Sequence, residues 1–178
     1  MVSAALLISA LGPLPPVVRG WKKGSRATYR VEETMGEGDS RVEMRYLVQI
    51  RIADEGMARG TLSRRTFTIG GQRQGGVSAR TAFTFPYRNI GPVLGSFDRS
   101  LGGGNALIWA FSSPGWGGTG FTGKGEKNGW HGSALFSDPA GSSKIQLQTH
   151  LRWDGWPQMV KVEVATPEGG YTAVVQRA

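Results

Sequence analysis

From Arg41 to Ile52 the chain alternates, with Val42, Met44, Tyr46, Val48, Ile50 and Ile52 apolar and Arg41, Glu43, Arg45, Gln49 and Arg51 polar. A period of two is the signature of a strand with one wet and one buried face. Ala27, Tyr29 and Val31 alternate in the same way with Thr28, Arg30 and Glu32, and Gly36-Glu37-Gly38-Asp39 reads as the turn of a hairpin between the two runs. Ala53-Asp54-Glu55-Gly56 is a second tight turn and predicts a third strand near Gly60 to Ile69. Gly70-Gly71 and Gly75-Gly76 bracket a stretch that reads as a polar loop, and Val77, Ala79, Thr81, Phe83 and Phe85 then form another alternating face.

Between Pro86 and Gly129 the alternation loosens into Gly-rich loops around the apolar run Ala106-Leu107-Ile108-Trp109-Ala110-Phe111. It returns at Trp130 to Phe136, and again where Ile145, Leu147, Thr149, Leu151 and Trp153 face away from Lys144, Gln146, Gln148, His150 and Arg152. Two short strands close the chain, Met159 to Ala165 and Tyr171 to Gln176, joined by Thr166-Pro167-Glu168-Gly169-Gly170. The pattern predicts an all-β protein of about nine strands with no helix beyond residue 18. Its architecture is expected to be an antiparallel sandwich or a curved half-closed barrel, with a short apolar segment ahead of it.

The chain divides into residues 1–20, an apolar signal, anchor or docking segment, and a single β-domain over 21–178 with a Gly-rich aromatic connection at 86–129. A length of 178 residues buries a real core without disulfides or a metal. Residues 1–18 carry no charge, and the apolar run Met1 to Leu11 stops at Gly12-Pro13-Leu14-Pro15-Pro16, where proline ends any helix. A run of this length is too short for a bilayer, which needs about 20 helical residues, and has the size of a signal-peptide core. No Lys or Arg precedes it, however, and Pro13 follows the small residue at which cleavage would be sought. A retained peg is the second reading: Leu6, Leu7, Ile8 and Leu11 would lie in a membrane interface or a partner's groove, with Arg19, Lys22 and Lys23 at head-group level and Trp21 among them. A core-packing segment is the third.

Lys and Arg number 21 against 13 Asp and Glu, a net charge of +8. The excess sits in the first half, since residues 19–80 hold 13 basic and 7 acidic side chains. Such a balance favours an acidic partner, although the charges are interleaved with acids along the sequence. The absence of cysteine excludes thiol catalysis, cysteine-ligated metals and a lipidated N-terminal cysteine.

No catalytic template fits. Gly118-Thr119-Gly120-Phe121-Thr122-Gly123-Lys124-Gly125 matches a phosphate loop in outline but has Gly125 where Ser or Thr must hold magnesium, and no helix start follows. The Gly115, Gly117 and Gly120 spacing lacks the βαβ unit of a dinucleotide site. With two histidines only, His131 in a Gly-flanked stretch and His150 on a polar face, a histidine-dependent triad or metal centre has little to draw on. We therefore expect no catalytic residue, no cofactor and no metal. Trp109, Phe111, Trp116 and Phe121 suggest a core on one reading and an exposed Gly-aromatic contact surface on the other.

The opening Trp21-Lys22-Lys23-Gly24-Ser25-Arg26-Ala27-Thr28-Tyr29-Arg30-Val31 and the closing Trp153-Asp154-Gly155-Trp156-Pro157-Gln158-Met159-Val160-Lys161-Val162 resemble uncharacterised exported β-domains of bacteria. Those start with a Trp-x-x-Gly-x-x-x-x-Tyr strand and finish with a Pro-containing hairpin and a last strand. The order of strands and aromatics is similar, more loosely, to periplasmic half-barrels that carry lipoproteins. The first resemblance implies a periplasmic or envelope protein associated with a membrane. The expected function is that of a non-enzymatic accessory or scaffolding subunit of a membrane complex, binding through its basic face and its Gly-aromatic loops. The expected partners are a membrane protein complex or membrane surface, and lipid besides, with no nucleic acid. The alternative is a periplasmic carrier of an apolar, lipid-like ligand, which needs an empty apolar cavity of several hundred Å³ where an accessory subunit has a filled core.

Overall fold

The computed structural model describes residues 21–54, 57–77, 81–86, 121–137, 144–166 and 169–178. Ten strands are present among them: β1 (Arg26–Met35), β2 (Val42–Asp54), β3 (Met57–Ile69), β4 (Gln72–Val77), β5 (Thr81–Pro86), β6 (Phe121–Glu126), β7 (Gly129–Ser137), β8 (Lys144–Leu151), β9 (Pro157–Thr166) and β10 (Gly169–Arg177). All pairings are antiparallel and all ten strands belong to one sheet, in the order β4-β3-β2-β1-β10-β9-β8-β7-β6, with β5 also paired to β3. Two meanders are thus joined where the first strand meets the last, as in the pairing of Val31 with Val175. The sheet is not closed into a barrel. The all-β antiparallel fold expected from the sequence pattern, a sandwich or an incompletely closed barrel, is what the described strands form, in one continuous sheet.

Because side chains alternate, one face of this sheet collects the apolar set. Tyr29 and Val31 from β1, Val48 and Ile50 from β2, Leu147 and Leu151 from β8, Val160 from β9, and Ala173 and Val175 from β10 are all fully buried there. Each such Val, Leu or Ile contributes about 1.5–3 kcal/mol over its exposed state. The opposite face carries Arg26, Arg30, Arg45, Gln49 and Arg51, all exposed.

The two strands missing from the sequence reading lie in glycine-rich stretches. Gly70 and Gly71 have φ of 53° and 78°, the double positive φ of a two-residue hairpin turn that returns the chain as β4. The expected polar loop between the glycine pairs is therefore a strand. β6, read as loop, is a strand because the buried Trp130 ring lies over Gly123 and Gly132, and a Cβ at either position would overlap it. The connection expected to reach Gly129 gives way to sheet at Phe121. Trp153, assigned to the buried side of a strand, lies past the end of β8 in a turn and is 44% exposed.

Candidate functional site: a basic row on the outer face

β1, β2 and β3 bring three arginines into one line. Arg26 stands opposite Arg51, and Arg51 opposite Arg59, on the outer face of adjacent strands. All three are exposed, and Thr84 of β5 continues the row beyond Arg59. None of the three has an ion pair or side-chain hydrogen bond among the described residues. Side chains directly opposite across an antiparallel pair have Cβ atoms about 4.5–5.5 Å apart, and like charges there repel.

The turn before β1 adds two more cations to the same end. Ser25 N–H donates to the Lys22 carbonyl at 2.9 Å, Gly24 N–H to the Ile52 carbonyl at 2.9 Å, and Ile52 N–H to the Ser25 carbonyl at 2.9 Å. These bonds hold the turn that carries the exposed Lys22 and Lys23 beside the end of β2 at Ile52. The exposed carboxylate of Asp54, at the same strand end, is the acid closest in sequence to Arg51.

Several other exposed basic groups do have acidic neighbours: Arg45 with Glu32 at 3.9 Å, Arg41 with Glu43 at 2.8 Å, Lys124 with Glu126 at 3.1 Å, and Lys161 with Glu163. The Arg26–Arg51–Arg59 row, by contrast, has no ion pair among the described residues and forms a strip of positive charge across three adjacent strands.

Two further clusters bring together side chains from different strands. On the inner face Glu33 is 2% exposed, and Tyr46 and Tyr171 both donate from their hydroxyls to its Oε1 at 3.1 Å. Burial raises the Glu33 pKa against the opposing effect of these hydrogen bonds and of Arg65, and burial raises both tyrosines. On the outer face, His131 and His150 stack with ring centroids 3.8 Å apart, and His131 Nε2 lies 3.2 Å from Glu126 Oε2. Burial and then the charge of His131 lower the His150 pKa. Among the described residues no three His, Asp or Glu side chains converge on a position that could hold a metal ion.

Of the residues singled out from sequence, Lys22 and Lys23 are exposed in the turn before β1, at the end of the sheet where Arg26 and Arg51 lie. Trp21 is half-buried, tilted against Trp156 at 4.8 Å between centroids, with its indole N–H donating to the Asp154 carbonyl at 2.9 Å. Phe121 opens β6, its backbone opposite Ala134. Leu6, Leu7, Ile8, Leu11, Arg19, Trp109, Phe111 and Trp116 lie outside the described residues. Arg26, Arg51 and Arg59 were missed as a group: Arg51 was a polar position of an alternating run, while Arg26 and Arg59 lay just ahead of the first and third expected strands.

No family model matches the chain, and no curated protein matches it in sequence. Among solved structures it is similar to an SsgA-like sporulation-specific cell division protein from Thermobifida fusca, at 14% identity and a TM-score of 0.25 over 88% of this chain and 74% of that one. It is also similar to a domain described as an outer membrane lipoprotein-sorting protein from Vibrio parahaemolyticus, at 8% identity and a TM-score of 0.28 over 86% of this chain and 83% of that one. Scores this low carry no argument about function. Among the described residues no helix is long and apolar enough to cross a membrane.

Proposed function

We propose that this chain is a non-catalytic accessory module of the bacterial envelope that docks on an anionic membrane surface through Lys22, Lys23, Arg26, Arg51 and Arg59. The observation that carries the reading is the cross-strand arginine row. Like charges opposite one another repel, and among the described residues no acid stands across the strands from any of the three, which favours a partner that supplies negative charge. Each Lys or Arg close to an anionic bilayer contributes about 1 kcal/mol of attraction. Five together, held by strands and a hydrogen-bonded turn, give a patch that requires little reordering on contact.

The inner face supports an accessory role over that of a carrier. Its central side chains, among them Tyr29, Val31, Val48, Ile50, Leu147, Leu151, Val160, Ala173 and Val175, are fully buried, as in a filled core. A carrier's empty cup would leave such side chains accessible.

Co-sedimentation with phosphatidylglycerol vesicles and with phosphatidylcholine vesicles tests the proposal. Retention on the first alone, falling steeply as salt is raised, is the expected result. Equal retention on both, or preference for duplex DNA over vesicles in competition, would overturn it.

A further inference from the structure

Trp153 sits in the turn between β8 and β9 with 44% of its surface exposed, yet its ring is fixed. Its indole N–H donates to the Lys127 carbonyl at 3.3 Å, in the β6–β7 turn. Beneath it lies Gly125, where a Cβ would stand 3.1 Å from the ring's Cη2 atom. A single exposed aromatic needs no explanation by itself. This one is held at one edge by a hydrogen bond and seated over a residue with no side chain, which orients the ring before anything binds.

The ring borders a groove of about 650 Å³ whose other walls are Asn128, His150, Arg152, Asp154 and Gln158. Two amides, a carboxylate, a guanidinium and an imidazole supply donors and acceptors side by side. Hydroxyl groups need both. Arg152 and Asp154 are paired at 3.1 Å, so the one guanidinium among the described lining residues already has its counter-charge and does not favour a phosphate. A flat apolar platform rimmed by planar hydrogen-bonding groups complements a pyranose ring, which presents C–H bonds on its face and hydroxyls around its edge. The groove's size is within the usual range for small-ligand sites, about 300–1,000 Å³.

We infer that this groove binds a neutral oligosaccharide, with one sugar ring stacked on Trp153 and its hydroxyls read by Asn128, Gln158 and the Arg152–Asp154 pair. The site is separate from the arginine row and does not depend on membrane docking. A preoriented aromatic loses little conformational freedom on binding, which is how a shallow groove reaches useful affinity.

The test is calorimetric titration of the full chain with chitohexaose, cellohexaose and maltohexaose, and with oligo-dT as the stacking alternative. Saturable binding of at least one hexasaccharide is expected, weakened roughly tenfold or more by Trp153→Ala and measurably by Gln158→Ala, with Trp153→Phe retaining most of it. Gln158→Ala keeps the test meaningful if the turn loosens in Trp153→Ala. Failure of all three sugars to bind, equal affinity in the wild type and both alanine variants, or binding of oligo-dT alone would overturn the inference.

Discussion

Trp21 and Asp154 lie 133 residues apart, yet the indole N–H of the first donates to the backbone carbonyl of the second at 2.9 Å. The same ring leans on Trp156, whose backbone N–H donates to Asp154 Oδ1 at 3.1 Å and whose ring centroid lies 5.8 Å from the Arg177 guanidinium. The basic turn at Lys22 and Lys23 is therefore anchored to the β8–β9 turn at one end of the sheet. Trp21→Ala is expected to cost about 2 kcal/mol in urea unfolding, below the roughly 3–5 kcal/mol of a fully buried Trp because the ring is only half-buried. A cost under about 0.5 kcal/mol, the range of ordinary surface changes, would show that the anchor does not hold.

Adjacent positions on β2 should behave as opposites. Ile50 is fully buried opposite Ala27, whereas Gln49 is exposed opposite Thr28. Ile50→Ala should lose about 2–5 kcal/mol by chemical denaturation, and Gln49→Ala should stay within about 0.5 kcal/mol of the wild type. Similar losses at both would mean that the strand register is wrong, because a one-residue slip exchanges the faces.

Glu33 gives stability a definite pH dependence. Its folded pKa is raised by burial above the ordinary 4.5, so the protonated form is favoured in the folded state. The contribution is complete below the unfolded pKa and is lost as pH rises through the folded one. Thermal scans from about pH 4.5 to about pH 8 should show the wild type losing stability relative to Glu33→Gln, which keeps an acceptor for Tyr46 and Tyr171 without an ionisable group. An unchanged pH slope in Glu33→Gln would remove Glu33 from the account.

Gly132 tests how β6 and β7 are built. A methyl group there would overlap the Trp130 ring, itself 3% exposed, so Gly132→Ala must displace the indole from its site. The expected cost is about 1–3 kcal/mol, with a change in near-ultraviolet circular dichroism. Wild-type stability with an unchanged spectrum would show that the ring does not occupy that space.

The alternation at 27–32, 41–52 and 145–151 made β1, β2 and β8 legible, because each has one buried face and so carries a polar-apolar period broken only at single positions such as Leu47 and Thr149, while β10 was marked by the turn composition before it. β6 was hidden: Phe121-Thr122-Gly123-Lys124-Gly125-Glu126 has glycine at two of its inward positions, and the hydrophobic cover comes from Trp130 on the next strand. Gly70-Gly71 between polar residues was a readable hairpin turn, overlooked because Gln72-Arg73-Gln74 has no apolar face to mark a strand. The arginine row was legible only as individual residues. Placing Arg51 opposite both Arg26 and Arg59 requires the register of two hairpins, and β2 and β3 shift register between Ile52 and Asp54. The convergence of Glu33 with Tyr171 is less accessible still, since it depends on the first strand meeting the last.

The most direct test of the basic row is the affinity of Arg51→Glu for phosphatidylglycerol vesicles, measured beside the wild type. The substitution places a carboxylate between Arg26 and Arg59, which should stabilise the isolated fold by about 0.5–1 kcal/mol through two cross-strand pairs. The same change removes one positive charge and adds a negative one at the surface, a loss of about 2 kcal/mol and hence roughly 30-fold in vesicle affinity. A more stable protein that binds the membrane more weakly is the result the account predicts. Undiminished affinity in a correctly folded Arg51→Glu protein would contradict it.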